Sequence, residues 1–303
     1  MITPEVSDQL GLPPYHVDTY NAFSMLNFWC LLEPVIEVAG VRSICEIGSD
    51  EGHTSRHILS YCEGREMRCD IVDPSLNEEL EIFASDAIHL HKTTSLVYLA
   101  ASPRSDMFVV DGDHNYTTVR DELEMIARHA GGKTPLVVAL HDTSWPCARR
   151  DSFYASGVVE ARTPHRFNSG LGLETLALNC GRSFPCGNVF AWGEEYGGPE
   201  RGVLTAVEDS VFADEEAWWC LRIPSFYGLT VFVERAQVSE DGMVRLEEMQ
   251  RAVALMRPML AIAEANRLRL LQGLMEHQHH NRLLQARASD PLNRPEFAGG
   301  SNS

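Results

Sequence analysis

Four short apolar runs, separated by helical stretches, constrain the fold more than any other feature of the chain. The runs span residues 42–47, 68–72, 106–110 and 135–140. Between the last two, apolar residues recur at helical spacing until Gly131 and Gly132 end the segment. Short apolar strands that alternate with helices are typical of a parallel sheet covered on both faces. The pattern therefore predicts an α/β fold with a doubly wound, mostly parallel sheet.

The remaining segments predict how the chain is organised around this sheet. Two later runs, at residues 218–223 and 229–234, are close enough in sequence to form an antiparallel pair. The predicted helices are Tyr20 to Val38 with Asp18 or Thr19 as N-cap, 53–62, 202–212, and 244–287 with a break at Pro258. In chain order we expect an N-terminal helical segment (1–40), a catalytic domain (41–235), a C-terminal helical extension (236–288) and a disordered tail (289–303). The insertion at residues 143–200 has little periodicity and is expected to form a lid over the substrate.

Charge and composition narrow the classes of partner. The formal net charge of the 303-residue chain is −18, from 25 basic and 43 acidic side chains, which disfavours nucleic acid. The N-terminal residues lack the features of a secretory signal, and no run approaches the ~20 apolar residues of a membrane span. The eight cysteines are scattered, which predicts reduced thiols and a cytoplasmic location. Cys180 and Cys186 resemble half of a metal site, but no second pair accompanies them.

Polar residues follow each of the four predicted parallel strands. They are Glu46 to Gly52, Asp73, Asp111 to His114, and His141 with Asp142. Because ligands of open parallel sheets bind beyond the carboxyl ends of the strands, we expect these residues to share one edge. Each strand end taken alone also has an ordinary explanation, since loops are polar and exposed. Four such ends in a row predict a binding site.

The first of these loops reads Glu-x-Gly-x-x-x-Gly, from Glu46 through Gly48 to Gly52. It lacks the G-x-G-x-x-G pattern of a dinucleotide site and the Lys of a phosphate-binding P-loop. Its acidic residues would repel a pyrophosphate, but they suit a cofactor that carries an amino group and a sulfonium. Asp73 is placed to accept hydrogen bonds from both hydroxyls of a ribose. The sequence therefore predicts S-adenosylmethionine as the cofactor, bound by Glu46, Gly48, Ser49, Gly52 and Asp73.

Over residues 20–235 the arrangement resembles a class I S-adenosylmethionine-dependent methyltransferase, which implies a seven-stranded Rossmann-like sheet with an antiparallel last strand. The stretch DMFVVDGDHNYTTVRDELEMIARHAGGKTPLVVALHDTSW is similar to the branch that includes macrocin O-methyltransferase and the proteins called cephalosporin hydroxylases. The resemblance implies that Asp111 and Asp142 hold a divalent metal, usually magnesium, and that His114 acts as a base. It also implies that Asp111 and Ser95 contribute to the cofactor site, with Ser95 near the adenine.

His141 departs from that pattern, because close relatives of macrocin methyltransferase carry an acid at this position. An imidazole favours transition metals, so manganese, iron and zinc are alternatives to magnesium at a site formed by Asp111, His141 and Asp142. A metal bound to an acceptor hydroxyl would lower the pKa of that hydroxyl, and His114 within ~3 Å would remove the proton. The structural alternative is that residues 113–115 only cap the following helix and that Asp142 starts a turn.

The insertion supplies candidates for binding the acceptor. The aromatic residues that would form an apolar or sugar-stacking wall are Trp145, Tyr154, Phe167, Phe190 and Trp192. Three arginines, Arg149, Arg150 and Arg166, are candidates for pairing with a carboxylate or phosphate on a small-molecule acceptor. The alternative is that the aromatic residues only pack the insertion onto the sheet.

The C-terminal helix carries apolar residues on a broad stripe, which predicts packing against its own domain or another subunit. We expect a homodimer or higher homo-oligomer through this helix. The run from Glu276 to His280 resembles a metal tract, but on a polar helix end it is expected to be a solvated surface. His89 and His91 lie in a strand-like run and are expected to point to an exposed face.

The leading hypothesis is a metal-assisted O-methyltransferase that acts on a small hydroxylated metabolite, such as a glycoside or a natural-product intermediate. One alternative keeps the fold and the metal acids but catalyses an oxygenase or lyase reaction. Another is a non-catalytic subunit that binds the cofactor. An NAD-dependent oxidoreductase is disfavoured by Glu46 and by the missing third glycine.

Overall fold

The computed structural model describes residues 3–13, 23–101, 103–154, 165–166, 169–180 and 190–289. Outside these ranges lie Asp18, Thr19, Tyr20, Phe167, Cys186 and the tail 290–303. The strands are β1 (Ser43–Ile47), β2 (Arg68–Val72), β3 (Ile88–His91), β4 (Met107–Val110), β5 (Val137–His141), β6 (Ser152–Tyr154), β7 (His165–Arg166), β8 (Ser169–Gly170), β9 (Asn179–Cys180), β10 (Phe190–Gly193), β11 (Trp218–Ile223) and β12 (Leu229–Glu234). The α-helices are α1 (Pro4–Leu10), α2 (Trp29–Ala39), α3 (His53–Glu63), α4 (Ser95–Leu99), α5 (Tyr116–Ala127), α6 (Val203–Glu208) and α7 (Glu240–Ser289).

Seven of the strands form the central sheet, in the order β3-β2-β1-β4-β5-β12-β11. The five strands from β3 to β5 are parallel, and β12 runs antiparallel to both β5 and β11. The prediction of a doubly wound, seven-stranded Rossmann-like sheet with an antiparallel last strand is therefore confirmed. This order places the ends of β1, β2, β4 and β5 side by side.

Apolar packing covers both faces of this sheet, which explains why its parallel strands read as continuous apolar runs. Every residue of β1, β4 and β5 is buried. One face packs against α2, α3 and the first part of α7, through residues that include Ile58 and Leu246. The other face packs against α5, α6 and a later part of α7, through residues that include Leu123 and Leu268. The single helix α7 thus contributes to both hydrophobic cores.

The insertion at residues 143–200 has more regular structure than its sequence indicates. Strands β6, β10 and β7 form a small antiparallel sheet, and β8 pairs with β9. A β-bridge joins Ser152 to His114, with the Ser152 N–H donating to the His114 carbonyl at 3.1 Å. The insertion is therefore attached directly to the loop that follows β4.

The predicted break at Pro258 is wrong, because α7 runs without interruption from Glu240 to Ser289. A proline inside a helix removes one N–H donor and clashes with the carbonyl four residues earlier, here that of Ala254. Both Ala254 and Pro258 are exposed, so water can hydrogen-bond the carbonyl that loses its partner. Packing of α7 on both cores then outweighs the local penalty.

Within the described residues, the helix predicted from Tyr20 to Val38 starts at Met25, later than predicted. A 3-10 helix at Met25–Phe28 leads directly into α2, which ends at Ala39.

Six cysteines within the described residues are free thiols: Cys30, Cys45, Cys62, Cys69, Cys147 and Cys220. Among the described residues, none of the helices has the length and apolar character that crossing a bilayer requires.

Candidate active site

The glycine loop after β1 passes directly over the end of β4. Gly48 has a φ of 87°, and its N–H donates to the Val72 carbonyl at 2.9 Å. The Asp111 N–H donates to the Ile47 carbonyl at 2.8 Å. A Cβ on Gly48 would lie only 2.1 Å from the Asp111 carbonyl oxygen. Only glycine fits this close approach, so the loop and Asp111 have one fixed relative position.

The loop then turns sharply into α3. Gly52 precedes the helix with a φ of 80°, and its N–H donates to the Ser49 carbonyl at 2.7 Å. Asp50 has a φ of 44°, a left-handed conformation that costs about 1 kcal/mol or more outside glycine. The surrounding contacts must therefore stabilise this loop.

Asp73 provides those contacts from the end of β2. Its Oδ2 accepts the Ser49 N–H at 2.7 Å and the Asp50 N–H at 3.3 Å. Its Oδ1 accepts the Ser75 N–H at 2.7 Å. The carboxylate predicted to hold a ribose thus also shapes the glycine loop, a role that the sequence did not indicate. Three of its roughly four lone-pair positions are engaged, which leaves capacity for one further donor.

Glu46 lies at the buried end of β1, with 1% of its surface exposed. Burial raises the pKa of its carboxyl to about 8; Ser55 limits the rise, and Asp111 and Asp73 add to it. Its Oε2 finds no hydrogen-bond partner within the described part of the chain. A buried carboxyl oxygen that lacks a partner is costly, and a cationic or hydrogen-bond-donating ligand would relieve that cost.

Asp111, His141 and Asp142 come together at the neighbouring strand ends. Each residue offers one ligand atom, and these three atoms lie within 4.8 Å of one another. The Nδ1 atom of His141 lies 2.9 Å from Asp111 Oδ1 and 3.3 Å from Asp142 Oδ2. Two carboxylates and one imidazole nitrogen form a donor set suited to a divalent cation. The predicted metal ligands are therefore adjacent, as expected.

The other ring nitrogen of His141 has a fixed partner. Its Nε2 lies 2.8 Å from the Phe226 carbonyl oxygen, which can only accept, so Nε2 carries a proton. Burial disfavours a charged imidazole, but Asp111 and Asp142 outweigh it and hold the pKa of His141 well above its usual range. When Nδ1 loses its proton, its lone pair points between the two carboxylates. A histidine whose second nitrogen donates to a carbonyl is the usual form of a metal-binding histidine.

Asp142 has an unusual backbone and two histidine neighbours. Its φ is 57°, in the left-handed region. Burial would raise the pKa of its carboxyl, but His114 and His141 lower that pKa below its usual value, and the Cys147 thiol donates a hydrogen bond. The expectation that Asp142 is only a turn residue does not explain these contacts.

His114 faces the same carboxylate. Its Nε2 lies 3.5 Å from Asp142 Oδ2, and its ring lies 6.1 Å from that of Tyr154. The capping alternative applies to Asn115, whose Oδ1 accepts the Thr118 N–H at 2.9 Å at the start of α5. His114 is therefore directed towards the cluster while its neighbour caps the helix. Its role as a base remains a prediction.

Ser95 is the first residue of α4, and its hydroxyl contacts the buried carboxyl of Glu122. Burial raises the pKa of Glu122 to about 8, and Ser95 opposes that rise. Contact between Ser95 and an adenine stays a prediction.

His89 is exposed as expected, but the expectation for His91 is wrong, because its Nε2 lies 2.9 Å from the buried Asp70.

The aromatic residues of the insertion have different surroundings. Trp192 is 2% exposed and belongs to the hydrophobic core, so it packs the insertion rather than lining a site. Trp145 is half-buried and packs against the same core. Tyr154 lies beside His114, and its N–H donates to the Asp113 carboxylate. Of the predicted wall, Tyr154 is the residue beside the cluster; Phe167 and the Phe190 side chain lie outside the described structure.

The three candidate anion-binding arginines have partners within the protein. Arg149 donates to both oxygens of Glu208, at 2.6 and 2.7 Å. Arg150 is buried and donates to the carbonyls of Gly193, Glu194 and Leu176. Arg166 donates to Glu194 at 2.6 Å. These hydrogen bonds link parts of the insertion to one another and to α6, and pairing of the arginines with an anionic acceptor stays a prediction that the contacts disfavour.

Two groups in the site were not predicted. The Phe226 carbonyl belongs to the PSFYG turn between β11 and β12, which the sequence indicated only as a connection. The Cys147 thiol lies in the insertion and bonds to Asp142. Phe226 and Tyr227 both have positive φ values, a conformation that the sequence pattern does not predict for large side chains.

Comparison with known proteins gives one family match and several distantly similar structures. A family model described as a methyltransferase domain matches residues 45–143. No curated protein gives a significant match. The chain is also similar to the structure of an O-methyltransferase from Bacillus cereus in complex with SAH, at 13% identity and a TM-score of 0.40, over 76% of this chain and 88% of that chain. A second similar structure is the SAH-bound methyltransferase PaMTH1 from Podospora anserina, at 11% identity and a TM-score of 0.39, over 77% of this chain and 96% of that chain.

Similarity to solved structures at this level does not bear on substrate or mechanism. The family match is more specific, because it runs from β1 to the residue after Asp142 and so includes every strand end described above. The prediction of an S-adenosylmethionine-dependent methyltransferase is confirmed by this match to a methyltransferase domain over residues 45–143.

Proposed function

We propose that this chain is a divalent-metal-assisted O-methyltransferase that acts on a small hydroxylated metabolite. The observation that carries the proposal is the adjacency of Asp111, His141 and Asp142, with ligand atoms within 4.8 Å of one another and His114 beside them. This cluster shares a sheet edge with the glycine loop, and Gly48 touches the backbone of Asp111. Methyl donor and activated oxygen would therefore meet between these two loops.

Glu46 and Asp73 would bind different parts of S-adenosylmethionine. The buried Oε2 of Glu46 would accept a hydrogen bond from the positively charged end of the cofactor, which offsets the desolvation that now raises its pKa. The capacity that remains on Asp73 would accept a ribose hydroxyl. Because Asp73 also holds the Ser49 and Asp50 N–H groups, cofactor binding and loop shape are linked.

Asp111, His141 and Asp142 fit a divalent metal, because two carboxylates and one orientated imidazole converge there. A metal bound at this site would supply Lewis acidity that lowers the pKa of the acceptor hydroxyl. The Oδ2 atom of Asp142 lies 3.5 Å from the Nε2 atom of His114, so His114 is beside the metal ligands. His114 would then take the hydroxyl proton as the oxygen attacks the methyl group.

The resemblance to macrocin O-methyltransferase and the position of Tyr154 beside His114 support a more specific class of acceptor. A glycoside or natural-product intermediate would place a sugar against Tyr154, whose ring lies 6.1 Å from that of His114. Transfer of a labelled methyl group to a panel of hydroxylated glycosides would test this class, and transfer only to amines would contradict it.

A homo-oligomer formed through α7 is part of the proposal. Large apolar side chains remain exposed along this helix: Leu255, Met259, Ile262, Leu270 and Leu274. A monomer in light scattering at micromolar concentration would contradict the oligomer without affecting the proposed reaction.

The metal role is tested by Asp142→Asn, which keeps the shape of the side chain but removes its charge. Calorimetry should show Mn²⁺ affinity lowered by at least tenfold and S-adenosylmethionine affinity changed by less than about threefold. Asp121→Asn is the matched control, because Asp121 pairs with Arg120 away from the cluster and should leave both affinities unchanged. Unchanged Mn²⁺ affinity in Asp142→Asn would contradict the assignment.

The nitrogen ligand at His141 gives one specific reason to consider an oxygenase as the second candidate. Imidazole ligands suit iron better than magnesium. Iron in the protein as purified, together with turnover that consumes oxygen, would favour that reaction. Methyl transfer under anaerobic conditions would contradict it.

A further inference from the structure

The turn between β11 and β12, residues 224–228, forms one wall of the metal cluster. Its Phe226 carbonyl accepts the His141 Nε2–H at 2.8 Å. Phe226 and Tyr227 have φ values of 50° and 65°. Two consecutive left-handed residues with large side chains are strained, so other contacts must stabilise the turn.

The C-terminal helix α7 supplies those contacts. Glu264 Oε2 accepts the Phe226 N–H at 2.9 Å, and Glu264 Oε1 accepts the Tyr227 N–H at 3.0 Å. Arg267 donates to the same two oxygens, at 2.7 and 2.6 Å. Its guanidinium also lies over the aromatic rings of the turn, 4.6 Å from the Tyr227 centroid and 5.3 Å from that of Phe226.

This pair is built into the protein interior. Burial alone would raise the pKa of Glu264, but Arg267 and the two turn N–H groups lower it, so the carboxylate is charged. The Ser225 hydroxyl donates to the Leu260 carbonyl at 3.1 Å, which adds a second tie between the turn and α7. A Gln side chain at position 264 would leave one backbone donor of the turn without an acceptor, and a shorter side chain would leave both without one.

The opposite side of the turn is tied to the strand that carries the metal ligands. The Tyr227 carbonyl accepts the Ser144 N–H at 2.6 Å, two residues after Asp142. A Cβ on Gly228 would lie 2.5 Å from the Ser144 backbone nitrogen, so there is no room for a side chain between the turn and the segment after β5. The turn therefore transmits the position of α7 to the end of β5.

We infer that Glu264 and Arg267 are positioning residues for the metal site, because they hold the carbonyl that orients the imidazole of His141. Both residues lie well outside residues 45–143, the range that the methyltransferase family model matches. Their contacts with the metal site run only through the turn. The expected effect on metal binding rests on the proposed function. The link from α7 through the turn to His141 does not depend on any metal.

Metal-free protein labelled with ¹⁵N-histidine tests that link. The buried His141 Nε2–H should give a slowly exchanging NMR signal, assigned by its absence in His141→Asn. Glu264→Gln keeps one acceptor oxygen but places an NH₂ donor against the other turn N–H and against Arg267, so the turn should relax and the signal should exchange faster or be lost. An unchanged signal in Glu264→Gln would overturn the inference.

Metal titration tests the consequence. Glu264→Gln should weaken Mn²⁺ binding by about ten- to a hundredfold, the range found when partners of metal ligands are removed. Glu247→Gln is the matched control, because Glu247 is an exposed acid of the same helix that pairs with Arg251 at 3.1 Å. It should change neither the Mn²⁺ affinity nor the NMR signal.

Two further comparisons keep the outcome decisive. If Glu264→Gln fails to fold, Arg267→Lys keeps the positive charge but loses the bidentate contact, and it should show the same two changes to a smaller extent. If the wild type binds no Mn²⁺, the proposed metal function is contradicted, and the NMR signal alone decides the positioning role. Mn²⁺ binding that is equal in wild type and a folded Glu264→Gln would overturn the inference and leave the proposed function standing.

Discussion

Replacing Gly48 with alanine should disturb the contact that joins the glycine loop to the metal strand. The new Cβ would lie 2.1 Å from the Asp111 carbonyl oxygen and 2.7 Å from the Gly112 Cα. Ordinary contacts begin at about 3.4 Å, so the two segments must separate by more than an ångström. They cannot do so easily, because the Ile47 carbonyl accepts the Asp111 N–H and the Val72 carbonyl accepts the Gly48 N–H.

The expected magnitude has two parts. A non-glycine residue at a φ of 87° costs about 1–2 kcal/mol. Overpacking against backbone adds about 1–3 kcal/mol. Gly131→Ala isolates the first part, because Gly131 has a φ of 76° and a Cβ there would meet no atom of the described residues within 4 Å. The free energy of unfolding of Gly48→Ala should therefore be lower than that of Gly131→Ala by about 1–3 kcal/mol.

Urea unfolding followed by tryptophan fluorescence measures this difference, and calorimetry measures binding. Gly48→Ala should also bind S-adenosylmethionine and Mn²⁺ more weakly, because both loops move, whereas Gly131→Ala should bind them like the wild type. Equal unfolding free energies for the two variants would refute the reasoning that the loop and Asp111 are in forced contact.

Three other predictions follow from single side chains. Asp73→Ala should weaken S-adenosylmethionine binding about ten- to a hundredfold in calorimetry, since it removes a charged acceptor and loosens the loop; an unchanged dissociation constant would exclude Asp73 from the site. His114→Gln should lower methyl transfer by about 10²- to 10⁴-fold while metal and cofactor still bind, and a fully active variant would reduce His114 to a structural neighbour. Glu122 has a pKa of about 8 when folded against an ordinary value of 4.5, so the folded state retains a proton that the unfolded state loses. Its contribution to the free energy of unfolding should therefore fall as pH rises from about 5 to about 8, by at most ~1.4 kcal/mol per pH unit. Glu122→Gln should flatten this dependence in urea unfolding at pH 5.5 and 7.5, and an identical slope would show that Glu122 is ionised in the folded protein.

The strands of the central sheet were predictable because burial on both faces leaves a continuous apolar run in the sequence. The runs at residues 68–72, 218–223 and 229–234 coincide with β2, β11 and β12 at every residue. The polar residues at the ends of the parallel strands were equally visible, because each of them closes or directly follows a short apolar run. Parallel strands then bring Asp111 and Asp142 together without further information.

Other features depend on contacts between residues distant in sequence. Strands of two residues, such as β7 and β8, are too short to show any periodicity. Arg149 and Arg150 are typical of an anion site in sequence, and only the fold reveals Glu208 and the carbonyls that occupy them. The link from Glu264 to Phe226 spans 38 residues and joins a helix to a strained turn. Local pattern carries no signal for such a contact.

Direct binding of S-adenosylmethionine tests the central claim most simply. Calorimetry on the wild-type protein should show one molecule bound per chain, with affinity lowered about ten- to a hundredfold in Glu46→Gln, because the buried carboxylate would no longer face a positive charge. NAD⁺ should give no binding heat under the same conditions. Absence of S-adenosylmethionine binding, or binding that Glu46→Gln leaves unchanged while NAD⁺ also binds, would contradict the account.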